Sequence, residues 1–201
     1  VTLKILGGFA KGHTLSVPKG DLVRPTSVLL RRRVFDFFQK LDDVTFVDLC
    51  AGSGAVAFEA WSRGASRIFL NEISKHVLKI IEENREQLSV RFALKSPADF
   101  VISQMSAEKN LLQFKKNYQH FSESEKEETI IFLDPPYNQI EIYQKVIQVL
   151  TEESWFFGQL WVESDYQKGL SQEQLIALGL KLDKIFEQGS SYLSVTNFPQ
   201  Q

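Results

Sequence analysis

From residue 44 onward, short runs of β-branched and aromatic residues alternate with longer stretches of helical spacing, and this alternation constrains the fold more than any other feature. Strands are expected near 44–50, 67–72, 90–94, 129–134, 158–164, 180–187 and 190–196. Helices are expected near 54–63, 75–88, 97–118, 139–150 and 171–178. Val77, Ile81 and Leu88 share one face of the second helix, and Ser171 with Gln174 forms a capping-box pair at the start of the last. Strands separated by helices pair in parallel, with helices over both faces of the sheet. The last two strands are joined by a short Gly189-Ser190-Ser191 stretch, which permits only an antiparallel hairpin at one edge. The expected class is therefore α/β, a mostly parallel seven-stranded sheet with an antiparallel C-terminal hairpin strand. In 105–128, Leu111, Phe114, Tyr118 and Phe121 keep helical spacing, and the acidic SESEKEE that follows reads as a loop.

The first forty residues follow another pattern. LKILGG (3–8) and HTLSV (13–17) read as two short strands joined around AKG. A helix follows PKGDLVRP, with Leu30, Val34, Phe37 and Leu41 as its apolar stripe and Thr26 or Ser27 as its cap. Arg32 then points away from the stripe while Arg31 and Arg33 flank it. This small extension (1–42) precedes the main α/β domain (43–201). Its charge is distinct: residues 1–40 hold eight Lys and Arg against two acids, whereas the remainder is acidic and the whole chain carries −2. One end is thus suited to meet a polyanion.

No 18-residue apolar run or leader pattern is visible in the 201 residues, so a cytoplasmic chain without a membrane partner is expected. Cys50 is the only cysteine, which excludes a disulfide framework and a Cys-based zinc site; it is expected in the core, and no metal is expected. Trp61, Trp155 and Trp161 read as core, His76 as helix surface, and a monomer is the default.

The strand TFVDLC runs into AGSGAVAFEAW, where Gly52, Gly54 and Ala57 fit the G-x-G-x-x-G/A turn. The first glycine permits the tight turn, the second a close ligand approach, and the small third residue close helix–strand packing. Asp48 precedes this loop, where a carboxylate would meet a cationic group. Glu72 ends the next strand, where an acid can bind ribose hydroxyls. Nicotinamide dinucleotides and S-adenosylmethionine both use such a site, and the loop does not choose between them.

The choice comes from FLDPPY (132–137). Proline cannot donate to a β-ladder, so the strand stops at Asp134 and the next three residues are fixed at its carboxyl end. A dehydrogenase has no evident use for this turn. An enzyme methylating an exocyclic base amine does, because that nitrogen's lone pair is delocalised into the ring. Acceptors at Asp134 and the Pro135 carbonyl would localise it, Pro136 would hold them rigid, and Tyr137 could stack on the base. A rigid strand exit with Tyr137 in the core is the alternative.

DPPY after a hydrophobic strand, with DLCAGSGAVAFEAWSRGA upstream, resembles the Rossmann-like class I S-adenosylmethionine-dependent amino-methyltransferases. LKILGGFAKGHTLSVP, RPTSVLLRRRVFDFF and GSSYLSV resemble more narrowly the RsmD family of bacterial 16S rRNA guanine-N2 methyltransferases, across about Leu3 to Val195. The resemblance implies S-adenosyl-L-methionine as cofactor, held by Asp48, Ala51, Gly52, Ser53, Gly54, Glu72 and Ser96. It implies Asp134, Pro135, Pro136 and Tyr137 at the target amine. It also implies contact of 16S rRNA, or the small ribosomal subunit, with Lys11, His13, Arg24, Thr26, Arg31 and Arg32. The chain departs from the family's usual RPTTDRVRE at Val28, Leu29 and Arg32, and from its usual acid after the third strand, where Ser96 stands with Asp99 beyond. The rival functions are an amino-methyltransferase acting on adenine or cytosine in DNA, or on a protein amide, and an RNA-binding relative without catalysis.

Overall fold

The computed structural model describes residues 3–18, 28–92, 100–152 and 154–199. Arg24, Thr26, Ser27, Ser96 and Asp99 lie outside the described residues. A two-stranded antiparallel ribbon, β1 (Leu3–Lys4) and β2 (Thr14–Leu15), precedes helix α1 (Val28–Phe37). The main unit then runs β3 (Thr45–Asp48), α2 (Ala55–Ser62), β4 (Arg67–Asn71), α3 (Lys75–Phe92), β5 (Phe100–Ser103), α4 (Ala107–Tyr118) and α5 (Glu123–Glu127). It continues with β6 (Thr129–Leu133), α6 (Ile140–Thr151), β7 (Gln159–Asp165), α7 (Gln172–Ala177), β8 (Lys184–Gln188) and β9 (Ser191–Asn197).

Seven strands form one sheet in the order β5-β4-β3-β6-β7-β9-β8. The first five in that order are parallel, while β9 is antiparallel to both neighbours, as expected for the mostly parallel sheet with an antiparallel edge hairpin. The chain winds outward from β3 to β5, then returns to place β6 on the other side of β3. Connections leaving adjacent β3 and β6 therefore diverge, and a crevice opens above their carboxyl ends. Asp48 and the DPPY turn stand at the two lips of that crevice.

Both central strands are buried along their whole length, which is why they read as continuous apolar runs. Their alternate residues feed opposite layers. Phe46, Ile130 and Phe132 join a core shared with α1, α2, α3 and the N-terminal ribbon, while Val47, Ile131 and Leu133 join one shared with α4, α6 and α7. Trp61 and Trp161 lie in the first core as expected. Trp155 is partly buried against the second, its indole N–H donating to the Val149 carbonyl at 2.8 Å. His76 and His120 are on the surface.

Four local expectations need correction. The strand expected near 90–94 is absent over 90–92, which continue α3; the third parallel strand is β5, ten residues later, inside the stretch expected to be helical from 97. Leu88 is buried, Phe92 packs one turn further along the same face, and Val90 is 82% exposed, so the helical period governs this stretch. Second, SESEKEE is helix α5 rather than a loop: Ser122 and Glu125 form a reciprocal capping box, and Arg67 pairs with Glu125 at 2.5 Å. Third, α1 is rotated from its expected orientation. Phe37 is 55% exposed, and Arg31 and Phe35 take the inward positions, Phe35 against Trp161 with ring centroids 6.0 Å apart. Finally, Cys50 is only half-buried; it packs beside the second core and also lines the crevice.

Candidate active site

The crevice is a cavity of about 840 Å³, within the range of pockets that enclose small ligands. One wall is the turn from β3 into α2. Gly52 and Gly54 both have positive φ, 54° and 78°, in the left-handed region that glycine adopts at little cost. At Gly54 the requirement is also steric: a Cβ there would fall 2.6 Å from the Phe58 ring and 3.1 Å from Leu70. Asp48, Ala51, Gly52 and Ser53 line the cavity, whereas Gly54 shapes the turn from behind. Ala57 is fully buried where α2 crosses the sheet.

Glu72 follows β4 and closes this wall. Its carboxylate accepts from the Gly52 N–H at 3.0 Å and the Ser74 N–H at 2.8 Å, tying the glycine turn to the next strand. Asp48 is buried, with Oδ1 accepting from the Cys50 N–H at 3.3 Å and Oδ2 without a hydrogen-bond partner among the described residues. Burial pushes the Asp48 carboxyl well above the usual carboxylate range, and the neighbouring charges of Asp134 and Glu72 push it further. Burial also raises Glu72, opposed by its backbone hydrogen bonds. The Cys50 thiol is raised by burial and the same three carboxylates, which keeps it protonated and weakly nucleophilic. Three converging acids, one with an oxygen unpartnered among the described residues, are chemically suited to a cationic ligand.

The facing wall is Asp134-Pro135-Pro136-Tyr137, leaving β6 towards α6. Pro135 is buried and Pro136 exposed; the Pro136 carbonyl accepts from the Gln139 N–H at 2.8 Å, closing the turn. Tyr137 is almost entirely buried, its hydroxyl 3.2 Å from Glu163 Oε1 on β7 and 3.3 Å from Ser191 Oγ on β9. Its ring lines the cavity but is anchored from behind. The fold thus brings together Asp48, Ala51, Gly52, Ser53, Glu72 and all four residues of the DPPY turn.

Because β5 ends at Ser103, the cavity is lined beyond that strand by Met105, Ser106 and Ala107, which the sequence reading does not include. Asn71 also escaped sequence reading. Its amide donates to the Leu49 and Met105 carbonyls and accepts from the Met105 N–H, joining the ends of β3 and β4 to the β5–α4 loop. A polar residue closing an apolar strand was its available signal. Glu163, inside the apolar QLWVESD, gave the same signal and was likewise missed.

Two residues expected at the RNA surface are interior. Arg31 is 2% exposed and donates to the Lys4 carbonyl at 2.9 Å. His13 is 6% exposed, its ring packed edge-on to Phe92, and burial followed by the nearby Arg91 charge lowers its pKa. A buried neutral imidazole cannot pair with phosphate. Lys11 and Arg32 are exposed. Among the described residues no cluster could hold a metal ion, and no helix is long and apolar enough to cross a membrane.

Comparison with known proteins fixes the family. The family model described as "Conserved hypothetical protein 95" matches residues 3–193. The chain belongs to this family. Relatives of the Conserved hypothetical protein 95 family carry the name the sequence resemblance suggested: the chain is 28% identical over 171 residues to "Ribosomal RNA small subunit methyltransferase D" of Haemophilus influenzae, covering 84% of this chain and 81% of that protein. It also resembles the structure of "Putative methyltransferase yhhF" from Escherichia coli, with TM-score 0.74, 22% identity and full coverage of both chains. An RNA methyltransferase from Salinibacter ruber in complex with S-adenosyl-L-homocysteine has TM-score 0.54 at 15% identity, over 89% of this chain and 95% of that one. The fold is that of the class I methyltransferases, as the resemblance implied.

Proposed function

We propose that this protein transfers the methyl group of S-adenosyl-L-methionine to the exocyclic N2 amine of a guanine in small-subunit 16S rRNA. One observation carries the reading: a glycine turn with its two acids and a rigid DPPY turn face each other across one cavity at the switch point of the sheet. The family's relatives named as small-subunit rRNA methyltransferases support the substrate class. The donor set fits the cofactor, because a buried acid with an unpartnered oxygen favours a ligand bearing ammonium and sulfonium charges. Glu72, beside the Gly52 N–H, would hold ribose hydroxyls, and Asp48 with Ala51 and Ser53 would enclose the cationic end.

When bound, S-adenosyl-L-methionine would supply an electrophilic methyl group on its sulfonium sulfur, with the thioether as leaving group. The chain's own residues act on the acceptor. Asp134 and the Pro135 carbonyl accept the amine N–H bonds and localise the nitrogen lone pair. The prolines keep those acceptors in place, so little ordering remains for the transition state. Tyr137 walls the base site. The amine proton leaves to water, and no general base is assigned. Residues 1–42 would act as an rRNA-contacting extension to the 43–201 methyltransferase domain, through exposed Lys11 and Arg32 with Arg24 and Thr26, on a monomeric cytoplasmic enzyme.

The test is incorporation of labelled methyl into unmodified small ribosomal subunits, followed by digestion to nucleosides. N2-methylguanosine is the expected product. Asp134→Ala should lower kcat by roughly 10²-fold or more while leaving cofactor affinity nearly unchanged. Label appearing only on DNA adenine or cytosine would replace the substrate, and loss of cofactor binding in Asp134→Ala would show Asp134 to be structural.

A further inference from the structure

Of the three arginines of α1, Arg31 turns inward while Arg32 and Arg33 face solvent. Its Nη2 donates to the Lys4 carbonyl, but Nε and Nη1 have no hydrogen-bond partner among the described residues. A guanidinium keeps its proton under these conditions, so its buried charge calls for a counter-charge. Two carboxylates act on it, Glu59 and Glu163. Glu59 has both oxygens engaged elsewhere, Oε1 by Arg63 Nε at 2.8 Å and Oε2 by the Leu6 N–H at 2.6 Å. Glu163 lines the same small cavity as Arg31, about 10 Å³ enclosed by Phe132 and Trp161. From there its Oε1 accepts the Tyr137 hydroxyl at 3.2 Å.

We propose that Arg31 is a positioning residue for the methyl-accepting turn: its buried charge, set against Glu163, holds in place the carboxylate that anchors Tyr137. The proposal rests on the reading of DPPY as the turn that receives the target amine. The chain of groups runs from the N-terminal helix, through β7, to the cavity wall. Tyr137 is the last residue of the turn that begins at Asp134, so a loosened hydroxyl loosens the acceptors as well. A displacement near 1 Å at such a site costs about 10²-fold in rate. Removing Arg31 takes a buried positive charge away from Glu163, which favours its protonation or rotation away from the phenol.

The experiment uses the full chain labelled with carbon-13 at tyrosine Cζ, the Tyr137 resonance being assigned through Tyr137→Phe. Arg31→Met, Arg31→Lys and Glu163→Gln are compared with the wild type by that resonance, by cofactor titration calorimetry, and by kcat and KM on small ribosomal subunits. In Arg31→Met the Tyr137 resonance should move and kcat should fall ~10-fold or more, with cofactor affinity within about twofold. Arg31→Lys should recover part of both, and Glu163→Gln should move the resonance in its own right. A Tyr137 resonance unmoved in folded Arg31→Met overturns the proposal. Should that variant fail to fold, an unmoved resonance in Glu163→Gln does so. The resonance does not depend on the acceptor. A shift in a protein whose wild type methylates no ribosomal subunit supports the Arg31 linkage and refutes the substrate reading. An unmoved resonance in an active enzyme refutes the linkage alone.

Discussion

Asp48 illustrates how a single residue can work against the fold and for the site. It is buried, one oxygen lacks a hydrogen-bond partner among the described residues, and two further acids lie near enough to raise its pKa. A carboxyl raised in the folded state binds more protons folded than unfolded. Stability therefore falls as pH rises from the ordinary aspartate range through the raised folded value, and Glu72 adds to the slope in the same sense. Asp48→Asn should raise the melting temperature of the ligand-free protein near neutral pH and flatten that decline, while weakening cofactor binding. Thermal melts from pH 4 to 8 check this; an Asn variant that melts lower across the range would show that the carboxylate stabilises the fold. The acid and its place before the glycine turn were legible in TFVDLC. Its company was not, because Asp134 and Asp48 meet only through strand order.

Among the elements, the β3–α2 turn is the most strictly specified. Gly54 combines φ of 78° with a Cβ position already occupied by the Phe58 ring. Gly54→Ala should cost about 1–3 kcal/mol from backbone strain and overpacking, read from denaturant unfolding. A change below about 0.5 kcal/mol, the level of an ordinary surface substitution, would mean the turn relaxes freely. Sequence reading recovered this element because its glycines act locally. It misplaced β5, since the alternating Val90 and Phe92 satisfy strand composition while Leu88 and Phe92 keep helical spacing. It missed α5 although Ser122 and Glu125 spell a capping box, because the surrounding acidic residues resemble a solvated loop.

For the whole molecule, charge asymmetry suits the N-terminal end to the polyanion proposed as substrate, but folding decides which cations remain available. Arg31 and His13 are used inside, so the proposed phosphate contact would fall to exposed groups such as Lys11 and Arg32. Replacing both with Ala should weaken binding to small-subunit rRNA. It should also reduce the slope of log K against log salt by about 0.7–0.9 per lost phosphate contact. An unchanged slope would remove this face from the substrate site.

The sequence by itself determined the α/β class, the parallel core, the glycine turn and the DPPY exit. Each follows from periodicity, or from the fixed chemistry of glycine and proline over a few residues. Tertiary structure alone decided which way α1 faces, that Met105 and Ser106 line the cavity, and that Asn71 and Glu163 brace it. Those outcomes depend on strand order and on which helix face finds a partner. Residues far apart in the chain settle them by competing for the same buried space.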